Sequence, residues 1–146
     1  MKKIDFKNIK KRYYVLAVIL ILFIISAFVV LYFSFDPSDD FNAMICNSVT
    51  KDNNGYIYCY NIYAKDNNHY TYIETKRKIK DDKYKSFSRV KSGKINSSED
   101  FDKLVKSLEK NNKKGYNSLI SYTYVDNGEN YYYDSSELMK KLLFKE

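Results

Sequence analysis

Tryptophan is absent from this 146-residue chain, histidine and proline occur once each, cysteine twice and glycine four times. The single His has no evident nucleophile or orienting acid around it in sequence, so no general-base constellation is visible. Nor is a His or third Cys placed to complete a zinc set with Cys46 and Cys59. With so little Gly and Pro, there is no low-complexity tract and no second linker, and no internal repeat is present. The missing indoles shift the aromatic load onto 16 Tyr and nine Phe. Tyr packs through its ring while its hydroxyl seeks a partner or water.

The longest stretch without charge lies near the N-terminus. From Tyr13 to Phe35 the chain reads YYVLAVILILFIISAFVVLYFSF, without a charged residue. A run of ~20 apolar residues spans a bilayer core of ~30 Å, and lipid requires its backbone groups to be satisfied internally, so one transmembrane helix is expected. Tyr13, Tyr14 and Tyr32 stand near its ends, the headgroup level that amphipathic rings prefer. Up to Phe35 there are six basic residues (Lys2, Lys3, Lys7, Lys10, Lys11 and Arg12) against Asp5. Basic flanks remain cytoplasmic, so residues 1–12 are expected inside the cell and 42–146 outside, joined by an acidic linker at 36–41. Pro37 and the carboxylates of Asp36, Asp39 and Asp40 end the span.

A cleaved signal peptide would have a shorter apolar core followed by a small-residue cleavage site, which this stretch lacks. A lipoprotein would place Cys directly after that core, whereas Cys46 lies well beyond it. The anchor is therefore expected to stay attached. It carries no Gly-based small-residue repeat of the kind that drives tight helix dimerisation.

Beyond the anchor, 19 basic and 17 acidic residues nearly balance, so the chain's net +7 is mostly a topology signal and not an argument for nucleic-acid binding. Asn42–Thr50 and Tyr56–Ala64 read as strands around the turn-forming spacer 51–55. A third strand is expected from Tyr70 to about Ile79, and a weaker fourth around Tyr84–Val90, extending toward Ile95. Ser97 with Asp100 three residues on suits a helix start, and Phe101, Leu104, Val105 and Leu108 fall on one face; Lys113, Lys114 and Gly115 suit its end. Leu119–Val125 and Glu129–Tyr133 form a hairpin around Asn127-Gly128, which pairs Tyr124 with Tyr131 and Tyr122 with Tyr133. A last helix from Ser135 or Ser136 presents Leu138, Met139, Leu142 and Leu143. The order βββ(β)αββα predicts an α+β domain: a small antiparallel sheet of about five or six strands with two helices packed on one face.

Cys46 and Cys59 flank the first turn on neighbouring strands. A disulfide needs them in step, at a Cα separation near ~5.5 Å, and a slip of one residue would leave two buried thiols instead. His69 falls in a turn beside Asn67 and Asn68. Asp126, Asn130, Asp134 and Glu137 match four positions of a calcium-loop template, but Tyr131 stands where the loop needs Gly. A hairpin and a helix cap explain the same residues, so no metal or cofactor is expected. Lys76, Arg77, Lys78, Lys80, Lys83, Lys85, Arg89, Lys91 and Lys94 outnumber Asp81 and Asp82 between 76 and 94. Lys on an edge hairpin discourages edge-to-edge pairing. The same charges also offer a contact for lipid headgroups or an anionic wall polymer. Nothing here reads as a nucleic-acid-binding element. An exposed row of Tyr rings would suit a protein partner.

Cys46, then NGYIYCYNIYAKDNNHYTYIETKRKIKDD, a helix and GYNSLISYTYVDNGENYYYD resemble, by strand-and-turn pattern over roughly 44–143, the YehR-like small envelope lipoproteins of low-GC Gram-positive bacteria. A transmembrane anchor here takes the place of their lipidated Cys. The resemblance implies a fold and an envelope location and carries no activity. The expectation is a membrane-anchored, extracytoplasmic, non-catalytic binding or accessory protein of a cell envelope. Its partner would be another envelope protein or, alternatively, anionic polymer or lipid met through 76–94.

Overall fold

A computed structural model describes residues 6–34 and 41–145. The chain divides into two compact units, Met1–Phe35 and Asp36–Glu146. Of the linker expected at 36–41, all but Phe41 lies outside the described residues, as do the first five residues of the basic tail. Helix α1 spans Phe6–Ser34, and its stretch Tyr13–Leu31 is long and apolar enough to cross a membrane. It begins earlier than the expected start at Tyr13, because the Lys- and Arg-rich turn before it is itself a good helix former.

The second unit is an α+β sandwich of six strands and two helices. Strands β1 (Ala43–Lys51), β2 (Asn54–Asp66), β3 (His69–Lys80) and β4 (Lys83–Ile95) form a meander, followed by α2 (Ser98–Glu109), β5 (Asn117–Asp126), β6 (Glu129–Tyr133) and α3 (Ser136–Phe144). The sheet is antiparallel in the order β4-β3-β2-β1-β5-β6. α2 thus carries the chain from one edge back to the far side of β1.

Tight turns set the register. Asp52-Asn53, Asp81-Asp82 and Asn127-Gly128 each hold both residues at positive φ, the backbone that suits the right-handed twist of two-residue hairpins. The first hairpin is tighter than the five-residue spacer implied: Lys51 pairs with Asn54, and Gly55 already lies in β2. Gly55 crosses β1 so closely that a Cβ there would sit 2.1 Å from the Val49 carbonyl oxygen. β4 is not weak. It runs 13 residues, absorbing two bulges opposite Glu74/Thr75 and Lys78/Ile79.

Alternation along the strands sends Ala43, Ile45, Asn47 and Val49 of β1, and Tyr56, Tyr58, Tyr60 and Ile62 of β2, to the face that carries the helices. Phe101, Leu104, Val105 and Leu108 of α2 and Met139, Leu143 and Phe144 of α3 close this core. Ser97 caps α2, its Oγ accepting from the Asp100 amide at 3.3 Å. The helix ends at Glu109, short of the expected Lys113–Gly115. The Asn47 side chain takes the Leu108 carbonyl at 2.9 Å, and the amides of Asn111 and Asn112 turn back onto Leu108 and Glu109. Gly115, at φ +79, serves the later turn into β5. In α3, Leu138 is exposed rather than buried: the inward face rotates toward Phe144, whose ring meets Tyr70 edge-on at 5.7 Å.

Candidate anion-binding surface

The nine cations between 76 and 94 do not form one patch, because β3 and β4 alternate. Pairing places Lys76, Lys78, Lys80, Lys83 and Lys91 on the helix-bearing face of the sheet, and Arg77, Arg89 and Lys94 on the opposite face. Lys85 is the extra residue of a bulge. On that opposite face the Arg77 guanidinium lies 5.4 Å from the ring centroids of both Tyr84 and Phe87, and Arg89 is buried.

On the helix-bearing face, Glu74 interrupts the row. Its carboxylate holds the Lys91 ammonium at 3.1 Å, and this hydrogen bond keeps the Lys91 pKa above the ordinary lysine range. Tyr60 lies beside the pair and donates to or accepts from Ser107 Oγ at 2.9 Å; burial pushes its hydroxyl pKa up. Lys91 is thereby committed to the domain's own carboxylate. Beyond Glu74 along β3, the same face presents Lys76, Lys78 and Lys80 at every second residue, a repeat of ~6.7 Å.

Tyr56 organises the inner end of this row. Lys76 Nζ stands 4.3 Å from its ring centroid and 5.4 Å from that of Tyr58, and Lys113 Nζ lies 5.2 Å from the Tyr56 ring. The ring quadrupole attracts each ammonium group and holds two like charges near one another. Lys51 likewise stands over Tyr116 at 5.9 Å. Lys113 and Lys51 were not among the sequence candidates: they lie outside 76–94 and arrive through the turn after α2 and the end of β1. The positive φ of Gly115, which lets the chain double back after α2, is the one local signal that bears on Lys113.

Cys46 and Cys59 sit directly opposite each other and are joined by a disulfide, their Cα atoms 4.1 Å apart. They point away from the helices, and the bond ties the two central strands of the sheet. His69 is in the β2–β3 hairpin, its Nδ1 2.5 Å from Asp66 Oδ1; both side chains are more than half exposed. Asp126 and Glu129 pair across the β5–β6 turn, and Asp134 lies between β6 and α3. Among the described residues, no three His, Cys, Asp or Glu side chains gather as metal ligands would. A cleft of about 440 Å³ opens at the other end of the domain, lined by residues including Asn42, Asp66, Tyr70, Tyr124 and Lys145. Burial raises the Tyr70 pKa there, and its hydroxyl donates to the Leu143 carbonyl.

Comparison with protein-family models, curated proteins and solved structures gives no match to the chain.

Proposed function

We propose that this chain is a membrane-tethered binding or accessory protein on the outer side of a bacterial membrane, with residues 1–12 inside the cell. In this reading the anchor fixes position, and the domain acts by contact rather than by catalysis. The observation that carries it is the pairing of an apolar helix with a separate domain bonded through Cys46–Cys59. Disulfides persist in oxidising compartments and are rare in the cytosol, so the bond supports an extracytoplasmic domain. The basic tail argues for the same orientation independently. The resemblance to YehR-like envelope lipoproteins is consistent with that location.

Protease added to intact cells carrying the full chain, with a tag at each end, tests the orientation. The C-terminal tag should be lost while the N-terminal tag survives until the membrane is permeabilised. Protection of the C-terminal tag in intact cells would overturn the reading. A control with the same anchor fused to an unrelated domain then separates contacts of the domain from those of the anchor in co-purification. A partner recovered near stoichiometry only with the native domain is the expected result for an accessory subunit.

A further inference from the structure

We infer that the end of the sheet formed by the β1–β2 and β3–β4 turns is a docking surface for a linear polymer of repeating phosphates. This deepens the proposed function, on which it relies only for where such a polymer would be met.

Three observations combine. First, Lys76, Lys78 and Lys80 form a one-sided row at ~6.7 Å spacing, with Lys83 paired opposite Lys80. A chain of anions can meet such a row unit by unit, whereas an isolated anion meets one member. Second, the row is anchored rather than floppy at its inner end, where Tyr56 and Tyr58 hold Lys76, and Lys113 meets the same Tyr56 ring. Holding an ammonium group in place beforehand reduces the ordering cost of binding. Third, Glu74 takes Lys91 out of the row, so the rest of the row lies toward this end. The acids nearby, Asp52, Asp81 and Asp82, are turn residues.

The surface occupies one defined end of the sheet. Chain direction puts Ala43, where the domain begins, at one end of β1 and Lys51 at the other, ~27 Å apart by strand rise. The row lies at the Lys51 end, since Lys51 pairs with Asn54 and Asn54 with Lys80. The surface is thus the part of the sheet farthest along the strands from the entry of the chain.

Full-length protein in discs of zwitterionic lipid, titrated into fluorescein-labelled linear polyphosphate, tests this by anisotropy. Two triple variants remove equal charge: K76Q/K78Q/K113Q at the surface, and K7Q/K10Q/K11Q in the tail as control. The surface variant should weaken binding about tenfold or more and lower the salt slope by about 2, because fewer counterions are released. The tail variant should change affinity by less than about threefold. Equal losses in the two variants would overturn the inference. So would surface-dependent retention on anionic vesicles without polymer binding, or tighter surface-dependent binding of a single-stranded oligonucleotide of equal charge. Failure here leaves the tethered orientation standing, and failure of the protease test leaves a polymer-binding result intact but on the other side of the membrane.

Discussion

Asn47 sits near the middle of β1 with no exposed surface, where an amide must find its partners inside the protein. Its Nδ2 donates to the Leu108 carbonyl at 2.9 Å and to Asn112 Oδ1 at 2.7 Å, while its Oδ1 accepts from Ser118 Oγ at 2.6 Å. One side chain therefore adds a bond to the Leu108 carbonyl, which also accepts from the Asn111 amide, and ties the end of α2 to both β1 and β5. Truncation removes all three bonds, including the buried one to the Leu108 carbonyl. Asn47→Ala is expected to cost about 1–3 kcal/mol in chemical denaturation of the full chain, and a change within 0.5 kcal/mol, about the noise of surface substitutions, would show that the network carries little. Nothing local in sequence marks this role: within the run AMICNSVT, Asn47 reads as one polar position of a strand, and its partners lie more than 60 residues away. Gly55 is similar. It reads as turn punctuation, yet it is needed because two strand backbones cross where a Cβ would collide with Val49.

Whole elements were far more legible, because their signals are short-range. The alternation of Tyr with small and β-branched residues marks β2 and β5, and Asn127-Gly128 places Tyr122 opposite Tyr133 and Tyr124 opposite Tyr131, as the turn type requires. β4 was harder to read because its two bulges break the two-residue period that pattern reading depends on. Helix α2 is the clearest case. Ser97 accepts from the Asp100 amide, and the Asp100 carboxylate accepts from the Asn96 amide at 3.2 Å and from Lys103 Nζ at 2.9 Å. Ser97→Ala should cost about 1 kcal/mol. The hydrogen bond from Lys103, with that from Asn96, lowers the Asp100 pKa, and the Ser97 hydrogen bond does the same for Glu99. A carboxyl depressed in the folded state adds stability above its unfolded pKa, near 4, and that contribution is lost as pH falls through the folded value. Protection of the α2 amides, measured against the intrinsic exchange rate at each pH, is therefore expected to fall below about pH 4. Asp100→Asn should remove its share of that pH dependence while weakening the helix at neutral pH. An unchanged acid profile in the variant would locate the titration elsewhere.

At the scale of the whole molecule, what sequence reading missed was assembly. The charge run 76–94 was visible, but its division between two faces, the loss of Lys91 to Glu74 and the arrival of Lys113 beside Tyr56 all depend on strand order and on the path after α2. The cysteines pose the same problem on a smaller scale. Their spacing allowed either a bond or two thiols, and the two-residue turn at Asp52-Asn53 decides it by bringing Cys46 opposite Cys59. The bond joins the two central strands, from which the rest of the sheet extends in both directions. A sequence separation of 13 corresponds to a loop-closure stabilisation of about 3 kcal/mol in the chain-entropy account. A domain of this size has modest stability of its own, so the contribution is a large fraction of the total. Replacing both cysteines by Ala in the full chain should lower the Tm of the domain by about 12 °C, taking about 4 °C per kcal/mol for a domain of this length. Reduction of the wild type should produce a similar fall, and the Ala variant should show no further response to reductant. A fall of only a few degrees in both would mean that the β1–β2 pairing and the core beneath it hold the sheet without the bridge. The compartment would then matter less to folding than the disulfide implies. A fall of the expected size would make the domain dependent on an oxidising environment, tying its stability to the side of the membrane on which it is delivered.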